Sequence, residues 1–263
     1  MIDFDEIDGW APQLSGVLSQ YVPDSFERRL ADAAPQYIEE SLDLFFESTN
    51  RDAVIDAALA WIRSSDVTGY HGSRLTDDEV ASVRSSGLTP LRAGTRRGRL
   101  VRALSLHPRW HEVADRLAPA LQAHGPGAAA GRREGQVHLT LSRSGLVNGF
   151  NHYLTHGSEF DKHVAYELLG EEGKELLTKD GRPTVFRVTV PGPRALDAAH
   201  PIFGVDDVRA MGNVPNMVKE LLEAWSYKLA HPEHQPQTSR VDCGMVFRST
   251  IPAAWIVDDA TVG

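Results

Sequence analysis

The chain has 263 residues, of which 41% are hydrophobic and 24% charged, the make-up of an ordinary water-soluble folded protein. No apolar run approaches the ~18 residues that a spanning helix needs, and the acidic start, Met1 to Glu6, lacks the basic opening and apolar centre of a signal peptide. A single cysteine, Cys243, excludes an internal disulfide and a thiolate zinc cage, so a reduced, cytoplasmic setting is the expectation.

Net charge is −9, unevenly spread. Residues 1–66 carry 14 Asp/Glu against 4 Arg, whereas residues 67–135 carry 11 Arg against 6 Asp/Glu. So acidic a chain is a poor general nucleic-acid binder, but the arginine-rich middle keeps phosphate contacts open.

Residues 1–66 read as a helical segment. Phe26, Leu30, Ala33 and Tyr37 recur at helical steps, and Ile38, Leu42, Phe45 and Phe46 continue the stripe. A further helix from Asp52 to Arg63 packs Val54, Ala58, Trp61 and Ile62. The character changes at residue 67, the expected start of a second domain, 67–263. Val67 to His71 leans towards strand, and Thr76-Asp-Asp-Glu79 is a capping box that opens a helix ending at Gly87. Arg92 to Arg102 holds five arginines and no acid; it reads as a solvated basic face or as a set of phosphate contacts. Trp110 to Ala123 reads as one helix, and Gly125 to Gly131 as a loop.

Gln136 to Ser142 reads as a strand, Phe160 to Thr178 as a helix and Thr184 to Val190 as an alternating strand. Val214 to Leu229 reads as a helix, and Val241 to Ile251 as a last strand ending at Pro252. Few strands, long connections and no βαβ cadence argue for α+β.

The chemistry concentrates in Tyr70-His-Gly-Ser-Arg-Leu-Thr76, followed by a helix and then Gly87-Leu88. A histidine beside a glycine at a strand end presents an imidazole and bare backbone groups together, a fit for a ribose hydroxyl and a carboxamide. These residues resemble the first nicotinamide-contacting motif of ADP-ribosyltransferases of the poly(ADP-ribose) polymerase and diphtheria-toxin type. The resemblance implies split, antiparallel-rich sheets, NAD as co-substrate, and His71, Gly72, Ser73 and Arg74 as its contacts. In that family a second strand bears a tyrosine that stacks on nicotinamide. Here Gly135 to Leu141 carries His138 instead, which is similar to the tRNA 2′-phosphotransferase branch, and Tyr153 can supply the aromatic face.

The family's third element is an acid on a late strand, a carboxylate set against positive charge developing on the ribose. Asp242 precedes an Ile251-Pro-Ala-Ala-Trp-Ile256 exit similar to the family's, and an Asp variant is known in its rifamycin-modifying branch. Glu159 is the competing acid. The implied activity is transfer of ADP-ribose from NAD to an unidentified acceptor. Three alternatives stay open: an RNA 2′-phosphotransferase-like enzyme, a 2H-type phosphoesterase using Val137-His-Leu-Thr, and a module that binds NAD or ADP-ribose without catalysis. His152 and His156 stand at i,i+4, a spacing that can hold zinc, with no evident third ligand.

Overall fold

A computed structural model of the chain describes residues 1–125, 135–149, 151–236 and 244–262. Asp242, with most of the Gly125–Gly131 loop, lies outside the described residues. The chain is α+β and divides into two compact units. One comprises Met1–Gly69, Thr140–Gly145 and Thr189–Met245; the other comprises Tyr70–Leu139, Leu146–Val188 and Val246–Gly263.

The first unit is built on helices α1 (Ile7–Leu18), α2 (Phe26–Ala33), α3 (Ile38–Ser48) and α4 (Arg51–Arg63). The Phe26-to-Phe46 stripe is therefore two helices, not one. Ala34 turns left-handed at φ 46°, and Pro35 has no N–H to continue the ladder. Tyr37, expected on the apolar face, is instead 66% exposed ahead of α3. Phe45 still reaches the core, with its ring 4.9 Å from Phe26 and 5.1 Å from Trp225. The Asn50 side chain caps α4 by accepting from the Ala53 N–H. Val54, Ala58, Trp61 and Ile62 are buried as their spacing predicts.

The second unit holds α5 (Asp77–Ser86), α6 (Ala93–Leu104), α7 (Trp110–Val113), α8 (Leu117–Ala123), α10 (His152–His156) and α11 (Glu159–Lys179). The short α9 (Arg143–Asn148) precedes α10 in the chain. Leu100 and Leu104 of α6, Leu117 and Leu121 of α8, and Phe160, Val164 and Leu168 of α11 share one core. The expected helix from Trp110 to Ala123 is interrupted by a 3₁₀ turn at Ala114–Arg116. Pro119 accounts for the break: restarting at Leu117 puts it in a first turn, where no N–H is required. In α11 the interruption falls at Gly170, at φ 64° and ψ −145°.

The strands are β1 (Asp66–Leu75), β2 (Val137–Thr140), β3 (Arg182–Pro191), β4 (Gly244–Phe247) and β5 (Ile256–Thr261). They form one open sheet in the order β4-β2-β1-β3-β5, where the resemblance implies split sheets. Of the last expected strand, Val241–Ile251, residues Gly244–Phe247 form β4, and β5 was not expected at all. β5 runs antiparallel to β3, with Thr184 opposite Thr261. The remaining helices are α12 (Gly192–Ala198), α13 (Val205–Ala210) and α14 (Asn216–Ala230). No helix among the described residues is long and apolar enough to cross a membrane.

Candidate functional site

His71, expected at a strand end, sits in the middle of β1 instead, because the strand runs on to Leu75. Its Nδ1 lies 2.9 Å from the backbone carbonyl oxygen of His138 on β2. A carbonyl oxygen can only accept, so Nδ1 must carry the hydrogen, and the neutral ring keeps Nε2 as its acceptor. Burial pushes the His71 pKa below its usual value, and the bond to the His138 carbonyl only partly opposes that. The imidazole is therefore neutral near pH 7, with its tautomer fixed by the strand next door.

Gly72 is buried. A Cβ built there would lie 2.8 Å from Cδ2 of Leu146, closer than side chains pack. The capping box forms as expected: Thr76 Oγ1 accepts from the Glu79 N–H at 3.3 Å, and Glu79 Oε2 accepts from the Thr76 N–H at 2.9 Å. The helix it opens closes at Gly87, whose φ is 86°. Leu88 then pairs antiparallel with Ile251, each N–H donating to the other's carbonyl at 3.0 Å. Two segments that carry the family resemblance, Gly87-Leu88 and Ile251-Pro252, are thus hydrogen-bonded neighbours, 163 residues apart.

The candidates fall into two groups. His71 and His138 form one, with His138 Nε2 bonded to Gln136 Oε1 at 3.0 Å. Tyr153 and Glu159 form the other. The Tyr153 hydroxyl donates to Glu159 Oε1 at 3.5 Å, and His152 Nε2 approaches the same oxygen at 3.3 Å. Glu159 opens α11, where the helix N-terminus favours a carboxylate. Tyr153 packs against the cluster of Tyr70, Leu146, Leu154 and Val185. Side chains alternate along a strand, so Tyr70 and Gly72 share a face of β1 that His71 and Ser73 do not. The helix-borne pair therefore serves the other side of the strand from the imidazole.

His152, which the i,i+4 spacing offered with His156 as a zinc pair lacking a third ligand, meets Glu159, seven positions on, and its ring lies tilted against Tyr153 with centroids 4.0 Å apart. Among the described residues, no group of three or more His, Cys, Asp or Glu is arranged to hold a metal ion.

The arginine run, now α6, is largely committed to internal ion pairs. Arg96 makes a two-pronged pair with fully buried Asp161. Arg99 Nη1 donates to Glu79 at 2.9 Å. Arg102 grips Asp180 through two bonds at 2.9 and 3.0 Å. Arg92 and Arg97 are exposed. A solvated basic face thus describes those two but not Arg96 or Arg99.

Comparison with protein-family models, with curated proteins and with solved structures found no match.

Proposed function

We propose that the chain binds NAD through β1 and its neighbours and transfers ADP-ribose to an acceptor, releasing nicotinamide. The observation that carries this reading is the His71 geometry. A neutral imidazole, held by a backbone carbonyl and left with an acceptor nitrogen, suits a ribose hydroxyl donor. The pairing of Leu88 with Ile251 adds support, since it joins the later parts of the same motif set.

In the reaction the acceptor's lone pair forms a bond to the ribose anomeric carbon as the bond to nicotinamide breaks. Nicotinamide leaves with that electron pair, and the acceptor loses a proton. A carboxylate set against the ribose stabilises the positive charge that develops between the two events. Asp242 and Glu159 compete for that role. The contacts of Glu159 with Tyr153 and His152, on the helix side of β1, favour Asp242. They also support the second reading, a module that binds NAD or ADP-ribose without transferring it.

The test is incubation with NAD labelled in the adenylate half, with cell lysate as acceptor source. The transferase reading predicts label on macromolecules and free nicotinamide. Asp242→Asn should reduce turnover at least ~10²-fold and Glu159→Gln far less, by analogy with loss of one charge-stabilising group. Saturable NAD binding with no nicotinamide released would replace that reading with the binding module.

A further inference from the structure

Four guanidiniums and three carboxylates interact around α6. Arg74 of β1 joins Arg96, Arg99 and Arg102 of α6, against Glu79, Asp161 and Asp180. The carboxylates are spoken for. Asp161 holds Arg96 in two bonds and stands 3.5 Å from Arg99 Nε. Glu79 takes Arg99 Nη1 at 2.9 Å and lies 3.6 Å from Arg102. Asp180 takes Arg102. One positive charge is left over, and two donors share it. Arg99, 3% exposed, has Nη2 without a hydrogen-bond partner among the described residues, and so has the buried Nε of Arg74. Unmet buried donors of this kind cost free energy unless something accepts from them.

Gly157 packs beside them. It turns at φ 84°, and a Cβ built there would lie 3.1 Å from Arg99 Nη2 and 3.7 Å from the Arg74 carbonyl oxygen. A side chain at this corner would press on Nη2, so the glycine lets the guanidinium and the Arg74 backbone come together here. The two cations also repel one another, and burial together with that repulsion lowers the Arg74 pKa. An anion between them would relieve both.

We propose that Arg74 and Arg99, beside Gly157, form a binding site for a phosphate group, with Glu79, Asp161 and Asp180 holding the guanidiniums in position. A tetrahedral oxyanion offers several acceptors to donors arriving from two guanidiniums, the geometry in which arginine outperforms lysine. This site does not rest on the NAD reading; a free phosphate, a diphosphate or a phosphate ester all carry the required chemistry.

The test measures thermal midpoints and calorimetric affinity of the full chain with inorganic phosphate, pyrophosphate and NAD, and with sodium chloride at matched ionic strength. Pyrophosphate near 10 Kd should raise the midpoint of wild type, and of the exposed control Arg97→Gln, by about 3 °C or more. Arg74→Gln should lose the shift. If that variant does not fold, Arg74→Lys, which keeps a charge but removes the Nε–H, should weaken pyrophosphate about tenfold or more. An equal shift with sodium chloride, no shift in wild type, or undiminished affinity in both Arg74 variants would overturn the site. Protection by pyrophosphate without protection by NAD would keep this site and remove the NAD reading. Protection by NAD that ignores Arg74 would do the reverse.

Discussion

At the residue scale, Gly72 and Gly87 each admit a close neighbour, and they should fail differently when given a side chain. Gly72→Ala presses a methyl against the Leu146 side chain. That neighbour can give way, so the cost should stay within the ~1–3 kcal/mol of overpacking. At Gly87 the added Cβ meets the backbone carbonyl of Ile251 and the φ is already left-handed, so both strain and clash arise without relief. Gly87→Ala should therefore be the more destabilising by urea titration, and should unpair Leu88 from Ile251. The reverse order would mean that the Leu88–Ile251 bridge matters little. His71 belongs to the same scale. Its motif was legible because His-Gly-Ser, the capping box and Gly87 are all local in sequence. Its carbonyl partner was not, because His138 lies 67 positions away and contributes backbone, which no residue type betrays.

At the scale of elements, α6 shows how a charge run misleads when read by itself. Its acids are supplied by Glu79, Asp161 and Asp180, the last two more than 60 residues on, so the run looks unbalanced only along the chain. Asp161→Asn should remove about 3–5 kcal/mol, since it leaves Arg96 and Arg99 buried beside a neutral group. Arg92→Gln, at an exposed position, should stay within ~0.5 kcal/mol. Chemical denaturation of the two variants distinguishes a structural network from a solvated face. The helices read from Asp52 and Phe160 were legible along the chain, and that after Thr76 from its capping box. β5 was not: Ile256-Val-Asp-Asp-Ala-Thr261 is an edge strand, largely exposed, and carries no alternating apolar face. Its acids are paired by Arg84 and Arg187, which again come from distant chain. The break before α8 needed only Pro119, a local signal that helical periodicity outweighed.

For the whole molecule, pH provides a readout that needs no ligand. His71, His156, His163 and His234 are all held below the ordinary histidine value, burial being the first cause in each. A folded pKa below the unfolded one means the unfolded chain takes up protons first as pH falls. Their contribution is thus complete above the unfolded value, about 6.5, and is lost on acidification below it. Glu223 works the other way, its pKa being raised first by burial, so it favours the fold on the acid side. The thermal midpoint should fall between pH 7.5 and pH 5, and His71→Asn should show a shallower fall than wild type. Parallel curves would mean that the fold does not hold His71 as a neutral ring.

The central claim is that the neutral His71 ring accepts from a ligand hydroxyl, and calorimetric titration of NAD into wild type and His71→Asn tests it most directly. Asparagine can still donate to the His138 carbonyl but lacks the outward acceptor nitrogen. Saturable NAD binding in wild type, weakened at least tenfold (about 1.4 kcal/mol) in His71→Asn, is the result expected. Equal affinity in the two proteins, or no binding of NAD by wild type, would contradict it.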